Sequence, residues 1–355
     1  MRDGLSRLPG AQQLELLRRL NEAGTVVPAL AEQVLAAAPP GRGQPALRLP
    51  GVGVTEYGAR PVDPADVPAD ELLRVAAGVL AEHLVSQPPP HPKRRRRLPG
   101  RLPWHRAYQV SGNPLRTDAV RAEMTARGRR PGGRNPVVLL LGGTPDRMVA
   151  DTYAWRILHT ATASWRWWIA HRAGFDELPP RANVAAAARH WRSEVDADRI
   201  RIVLDDDALP ELLGVPALEG PPSPPAEALE LIRHVNQVLR VLVDRERHQA
   251  LLDHDLVPLL AGAEGGRLVV PYAQRRWLKA QARRAYDELT GAGYAVVGDP
   301  ARLIAEPERD GVIAPADAEV LALAVRTLLR AHSGGQDGHA SGGWGDPDRM
   351  EASKR

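Results

Sequence analysis

Residues 135 to 156 read NPVVLLLGGTPDRMVADTYAWR. Val137 to Leu141 are consecutive apolar residues bounded by Pro136 and by Gly142-Gly143. A short run without polar alternation, closed at both ends by turn residues, is what a strand buried on both faces requires. The stretch therefore predicts a strand at the centre of a parallel sheet. Gly142-Gly143-Thr144-Pro145-Asp146 then make a turn at its carboxyl end, where open α/β sheets hold their ligands. Function is expected near residue 145.

The pattern on either side agrees with α/β alternation. Upstream, 107–110 is a strand candidate, followed by a loop at 111–118 and a helix at 119–127. Strand, glycine-containing loop and helix is a layout in which helix N-terminal amides hold a phosphate. Downstream, helices are expected at 147–159, 163–174 and 183–191, before a second buried strand, IRIVL at 200–204. Leu229, Ile232, Val235, Leu239 and Leu242 repeat at three- and four-residue steps and predict one long helix over 226–247. A helix at 271–290 leads to a strand at 294–297, and a last helix spans 315–332. The predicted fold is a three-layer α/β domain over 104–305, a parallel sheet flanked by helices, with a C-terminal helix at 306–332.

Residues 1–87 read as an N-terminal helical module, because apolar residues recur at helical spacing over 8–37 and 69–85. The proline-rich segment 88–103 that follows has the composition of an extended linker, and the Gly/Ser/Asp-rich tail 333–355 has that of a disordered segment. Five consecutive cations, Lys93 to Arg97, lie in the linker. They read as a solvated charge run able to make weak contact with an anionic surface, without specific nucleic-acid recognition.

Composition narrows the chemistry. The chain has no cysteine, which excludes disulfides, zinc-thiolate sites and cysteine nucleophiles. Basic and acidic residues number 47 and 43, a net charge of +4 that does not by itself indicate a nucleic-acid partner. No window approaches the length of a membrane span, and a cytoplasmic protein is expected. Aromatic residues concentrate between Trp104 and Trp191, around the central strand. The triplet Asp205-Asp206-Asp207 at the end of the second strand is open to two readings, a helix N-cap or carboxylates holding a divalent metal on a nucleotide sugar, as in metal-dependent glycosyltransferases. His248, Asp253, His254 and Asp255 lack a recognised ligand spacing, and no metal site is predicted.

Taken in order, VVLLLGGTPDRMVADTYAWRIL, ASWRWWIA, NVAAAARHW with DADRIRIVL, AEALELIRHVNQVL and VPYAQRRWLKAQARRAYDELTGAGYAVVGD make residues 137–305 resemble the actinobacterial sulfotransferase-like family. Its relatives are carbohydrate sulfotransferases that use phosphoadenosine phosphosulfate (PAPS). The resemblance implies a P-loop-like α/β fold and sulfate transfer from PAPS to a hydroxyl of a glycan or small metabolite. A Pro-Lys-(Ser/Thr)-Gly-Thr phosphate loop, expected after the first strand, has as its nearest counterpart Gly112-Asn113-Pro114-Leu115-Arg116-Thr117, with leucine at the lysine position. The implied cofactor-binding residues are Ser111, Gly112, Asn113, Arg116, Thr117, Thr144 and Arg147. Arg116 would stand in for the lysine, and His105 or His159 would be the base. A scaffold that keeps the sheet and has lost catalysis is the alternative.

Overall fold

The structure is a computed structural model that describes residues 10–37, 63–88 and 107–333 apart from 219, 221 and 222, together with the backbone of 54–55 and 58–59. The basic run Lys93 to Arg97, His105 and the tail beyond Ser333 lie outside the described residues. Helices α1 (Ala11–Ala23) and α2 (Pro28–Ala36), the short antiparallel pair β1 (Val54–Thr55) and β2 (Gly58–Ala59), and α3 (Ala69–Ser86) come first. Strand β3 (Tyr108–Gly112) runs through α4 (Pro114–Ala126) to β4 (Val137–Leu141). Helices α5 (Pro145–Leu158), α6 (Trp165–Gly174) and α7 (Val184–Arg192) lead to β5 (Ile200–Val203). Then α8 (Leu209–Leu213), α9 (Ala226–Leu242), α10 (Arg245–Leu251), a π-helical turn, α11 (Val257–Leu259) and α12 (Tyr272–Gly291) precede β6 (Ala295–Val297), and α13 (Asp317–Ser333) closes the described chain.

Strands β3, β4, β5 and β6 form one parallel sheet in that order, with Val138 opposite Ile200 and Gly112 opposite Leu141. The apolar run is thus an interior strand, as its sequence predicts. Its alternate residues face two different cores: Leu139 and Leu141 join Val120, Met124, Leu209 and Leu213 from α4 and α8. Val138 and Leu140 face Val184 and Ala188 of α7, in the larger core that also holds α5, α6, α9 and α12. Burying each such leucine contributes roughly 1.5–3 kcal/mol, so a polar residue on either face of β4 would be costly. Both the β3–α4–β4 and β4–α7–β5 crossovers step the same way across the sheet, yet α4 and α7 cover opposite faces.

Two boundaries differ from the periodicity. Helix α4 begins at Pro114, not at 119, because the Asn113 side chain accepts from the Arg116 amide and proline suits the first helical turn. The long helix expected over 226–247 ends at Leu242. Asp244 caps a new helix there by accepting from the Arg247 amide at 2.8 Å, a local signal stronger than the apolar period.

The N-terminal helices bury their apolar faces on the other end of the chain. Helix α3 packs against α13 and α9, and Leu72, Leu80, Val320 and Leu328 share the larger core with the sheet. No helix among the described residues is long and apolar enough to cross a membrane.

Candidate functional site

The carboxyl ends of β3, β4 and β5 lie side by side at one end of the sheet, the region called the cleft below, and glycine makes their close approach possible. Gly112 has φ +100°, and a Cβ there would lie 2.3 Å from the Leu141 carbonyl oxygen. Only glycine combines that dihedral with so close an approach. The next residue, Asn113, can then donate its backbone N–H to Leu141 at 2.8 Å. Its side chain works in two directions: Oδ1 accepts from the Arg116 amide at 3.2 Å, and Nδ2 donates to Asp151 Oδ2 at 2.7 Å. Asn113 thereby fixes α4 against α5.

Arg116 lies in the first turn of α4 and is 8% exposed. Its Nη1 donates to the Gly142 carbonyl, and Nη2 meets the carboxylate of Asp206 in an ion pair without hydrogen-bond geometry. Its Nε has no partner, and neither does the hydroxyl of Thr117, which is 2% exposed. Burial lowers the Arg116 pKa to about 10, with Arg302 pushing the same way and Asp151 opposing. Asp151 is buried, and its pKa is raised by that burial against the pull of Arg147, Asn113 and Arg116. The cleft therefore holds a buried guanidinium that is ion-paired with Asp206 and has an unpartnered Nε–H, next to a carboxylate already shared with Asn113 and Arg147.

Around this centre, Arg147 binds Asp151 through Nε at 3.1 Å and donates Nη2 to Ser223 Oγ at 2.6 Å. Thr144 is the N-cap of α5 and makes no side-chain capping bond. A Cβ on Gly143 would stand 3.8 Å from Arg116 Nη1, so the turn before α5 is in contact with the guanidinium. Asp146 accepts the Glu308 N–H through Oδ2 at 2.8 Å, and its other oxygen is buried without a partner.

Of the residues singled out in the sequence, the structure brings together Gly112, Asn113, Arg116, Thr117, Thr144 and Arg147 at this cleft. Ser111 and Gly112 are the last residues of β3, not loop residues. His159 does not belong to the group. It follows α5 at the end opposite Thr144, about 21 Å away along a 14-residue helix. There it stacks on Trp155 at 3.9 Å, and its Nδ1 is 2.7 Å from the Trp155 carbonyl. Such an imidazole cannot reach an acceptor held by Arg116, and a structural role on the aromatic cluster is what its surroundings give it.

The aspartate triplet takes the capping role at one end and a site role in the middle. Asp205 Oδ1 accepts from the Asp207 N–H at 3.2 Å, while Asp206 is the partner of Arg116. Among the described residues no three acidic or histidine side chains converge as a metal would require. His248 is buried, and its Nε2 lies 2.8 Å from Asn236 Oδ1. Asn236 uses its amide to donate to the Ile157 and Ala161 carbonyls, so its oxygen is the acceptor and His248 carries the proton on Nε2.

Sequence reasoning missed Asp151 and Arg302, and it read Asp206 as part of a capping or metal-holding triplet, not as a partner of Arg116. Asp151 follows Arg147 by one helical turn, which is a readable signal. Nothing local to Asp206 or Arg302 identifies them, because both reach the cleft from β-strand ends far along the chain. Compared with known proteins, the chain matches no protein-family model, no curated protein and no solved structure.

Proposed function

We propose that the cleft at the carboxyl ends of β3 and β4 binds a phosphate or sulfate group. The carrying observation is Arg116, buried in the first turn of α4 with Nε unsatisfied beside the unsatisfied Thr117 hydroxyl. An anion seated there would supply acceptors to both groups and gain from the positive ends of the α4 and α5 dipoles. These residues fit the phosphosulfate of PAPS as an anionic group, with Arg116 and Thr117 as its contacts and Arg147 at the rim.

In the sulfotransferase reading, PAPS supplies an activated sulfuryl group. The hydroxyl oxygen of an acceptor forms the new S–O bond, the bond to the bridging phosphate oxygen breaks, and the acceptor proton passes to a base. Arg116 would stabilise charge on the leaving phosphate, as preorganised cations do. A second reading is supported by Asp206, which sits against Arg116, and by the remoteness of His159: a sulfotransferase-like protein that binds an anionic ligand without catalysis.

Thermal unfolding with PAPS, its desulfated nucleotide and inorganic sulfate tests the site. A ligand at a hundred times its Kd stabilises by about 2.7 kcal/mol, and replacing Arg116 by Gln should remove the effect. A transition unmoved by all three ligands would exclude anion binding at the cleft. Binding of the nucleotide without release of sulfate to any offered hydroxyl would favour the second reading.

A further inference from the structure

Beside the anion cleft lies a second cavity, of about 220 Å³, between α12 and the turn Pro300–Ile304. Its floor is apolar: Pro145, Leu278, Ala282 and Pro307 are buried. Polar side chains stand only at its mouth, where Lys279 pairs with Glu306 at 2.5 Å and both are at least half exposed. Ile304, at the lip, is 36% exposed.

The cavity and the cleft share their walls. Pro145, in the cavity wall, lies two residues after Gly143, where an added Cβ would stand 3.8 Å from Arg116 Nη1. Arg302, which acts on Arg116 through its charge, shares a single 3-10 turn with Ile304. The bond from Glu308 N–H to Asp146 ties the loop carrying Glu306 and Pro307 to the first turn of α5. A ligand with its anion at Arg116 would therefore have its remaining body beside Pro145.

We infer that this cavity is the acceptor pocket of the cleft and takes a single aromatic ring bearing a hydroxyl, in place of a sugar. The inference rests on the reading of Arg116 as an anion site. An apolar cavity of ~150 Å³ suffices for a benzene ring, so the space is adequate. A sugar buries many hydroxyls that each need a partner, and no side chain on the floor offers one. Lys279 and Arg283 at the mouth, with Arg302 behind, favour a ring that becomes an anionic ester.

The test is calorimetric titration of the full chain with inorganic sulfate and with 4-nitrophenyl sulfate, which spans both regions. The ester should bind more tightly by about tenfold, the value of roughly 1.4 kcal/mol of added contact. Ile304→Glu, a change at an exposed lip that leaves the core intact, should abolish the difference, and Ala282→Leu should reduce it by filling the floor. Equal affinity for the two ligands, or a preference that survives Ile304→Glu, overturns the acceptor pocket while leaving the anion site standing. Failure of both ligands to bind overturns the Arg116 reading and the acceptor assignment with it.

Discussion

Replacing Gly112 by alanine tests the structural basis of the cleft most directly. Two costs separate cleanly at this position. A left-handed backbone costs a non-glycine residue about 1–2 kcal/mol. The new Cβ would also fall 2.3 Å from Leu141 O and 2.9 Å from its N, both backbone atoms of an interior strand that cannot rotate away. Relief requires β3 and β4 to part, and that strains or breaks the bond from Asn113 N–H to Leu141, worth about 1 kcal/mol net. The expected total is about 2–3 kcal/mol, a substantial share of the ~5–15 kcal/mol by which folded domains are stable. Gly128 provides the control, since its φ is +76° but nothing lies within 4 Å of its added Cβ. Gly128→Ala should cost only about 1–2 kcal/mol, the conformational part alone. Urea unfolding followed by circular dichroism reads both as midpoint shifts at constant slope. If the two variants lose equal stability, the close approach of β3 to β4 is not what glycine permits, and the account of how Arg116 is positioned fails with it.

Other expectations can be checked alongside. Burial, together with the ring of His332 at 4.1 Å, lowers the pKa of His83 from 6.5 to about 4. The native state then stays neutral where the unfolded chain binds a proton, so stability falls as pH drops from about 6.5 to 4. With His83 only partly buried, screening reduces the loss to about 1–2 kcal/mol, and His83→Gln should flatten the unfolding midpoint across that range. Asn236→Ala strands the Ile157 and Ala161 carbonyls and the His248 N–H, and should cost about 2–4 kcal/mol by denaturant titration; a loss under about 1 kcal/mol would contradict the network. Asp206→Asn removes the carboxylate facing Arg116 and should raise sulfate affinity by about fivefold or more, since a charged group gives way to a neutral one. Unchanged affinity would mean that Asp206 does not compete for the guanidinium.

Much of the site was legible because its signals are local. The glycines at 112, 142 and 143 mark the strand ends that meet, whereas the loop expected over 111–118 overlooks the capping spacing of Asn113 to Arg116 and the proline at 114 that start α4. Helix boundaries were less legible, since the apolar period continues through Leu242 and does not register that Asp244 starts again. The roles of Asp206 and His159 were not legible at all. One depends on a strand neighbour and the other on which end of α5 faces the cleft.

The amino-acid order alone determined that Val137–Leu141 would be a strand buried on both faces from Val138 on, that amphipathic helices would surround it, and that a turn at residue 144 would follow. Those outcomes depend on hydrophobic period and backbone preference within a few residues. Tertiary structure decided the strand order, the packing of α3 on α13, and the meeting of Arg116 with Asp206 across ninety positions of chain. Burial is the reason. Desolvating a guanidinium is costly enough that its partners must be supplied from wherever the fold brings polar groups within reach, and no spacing in the sequence encodes that distance.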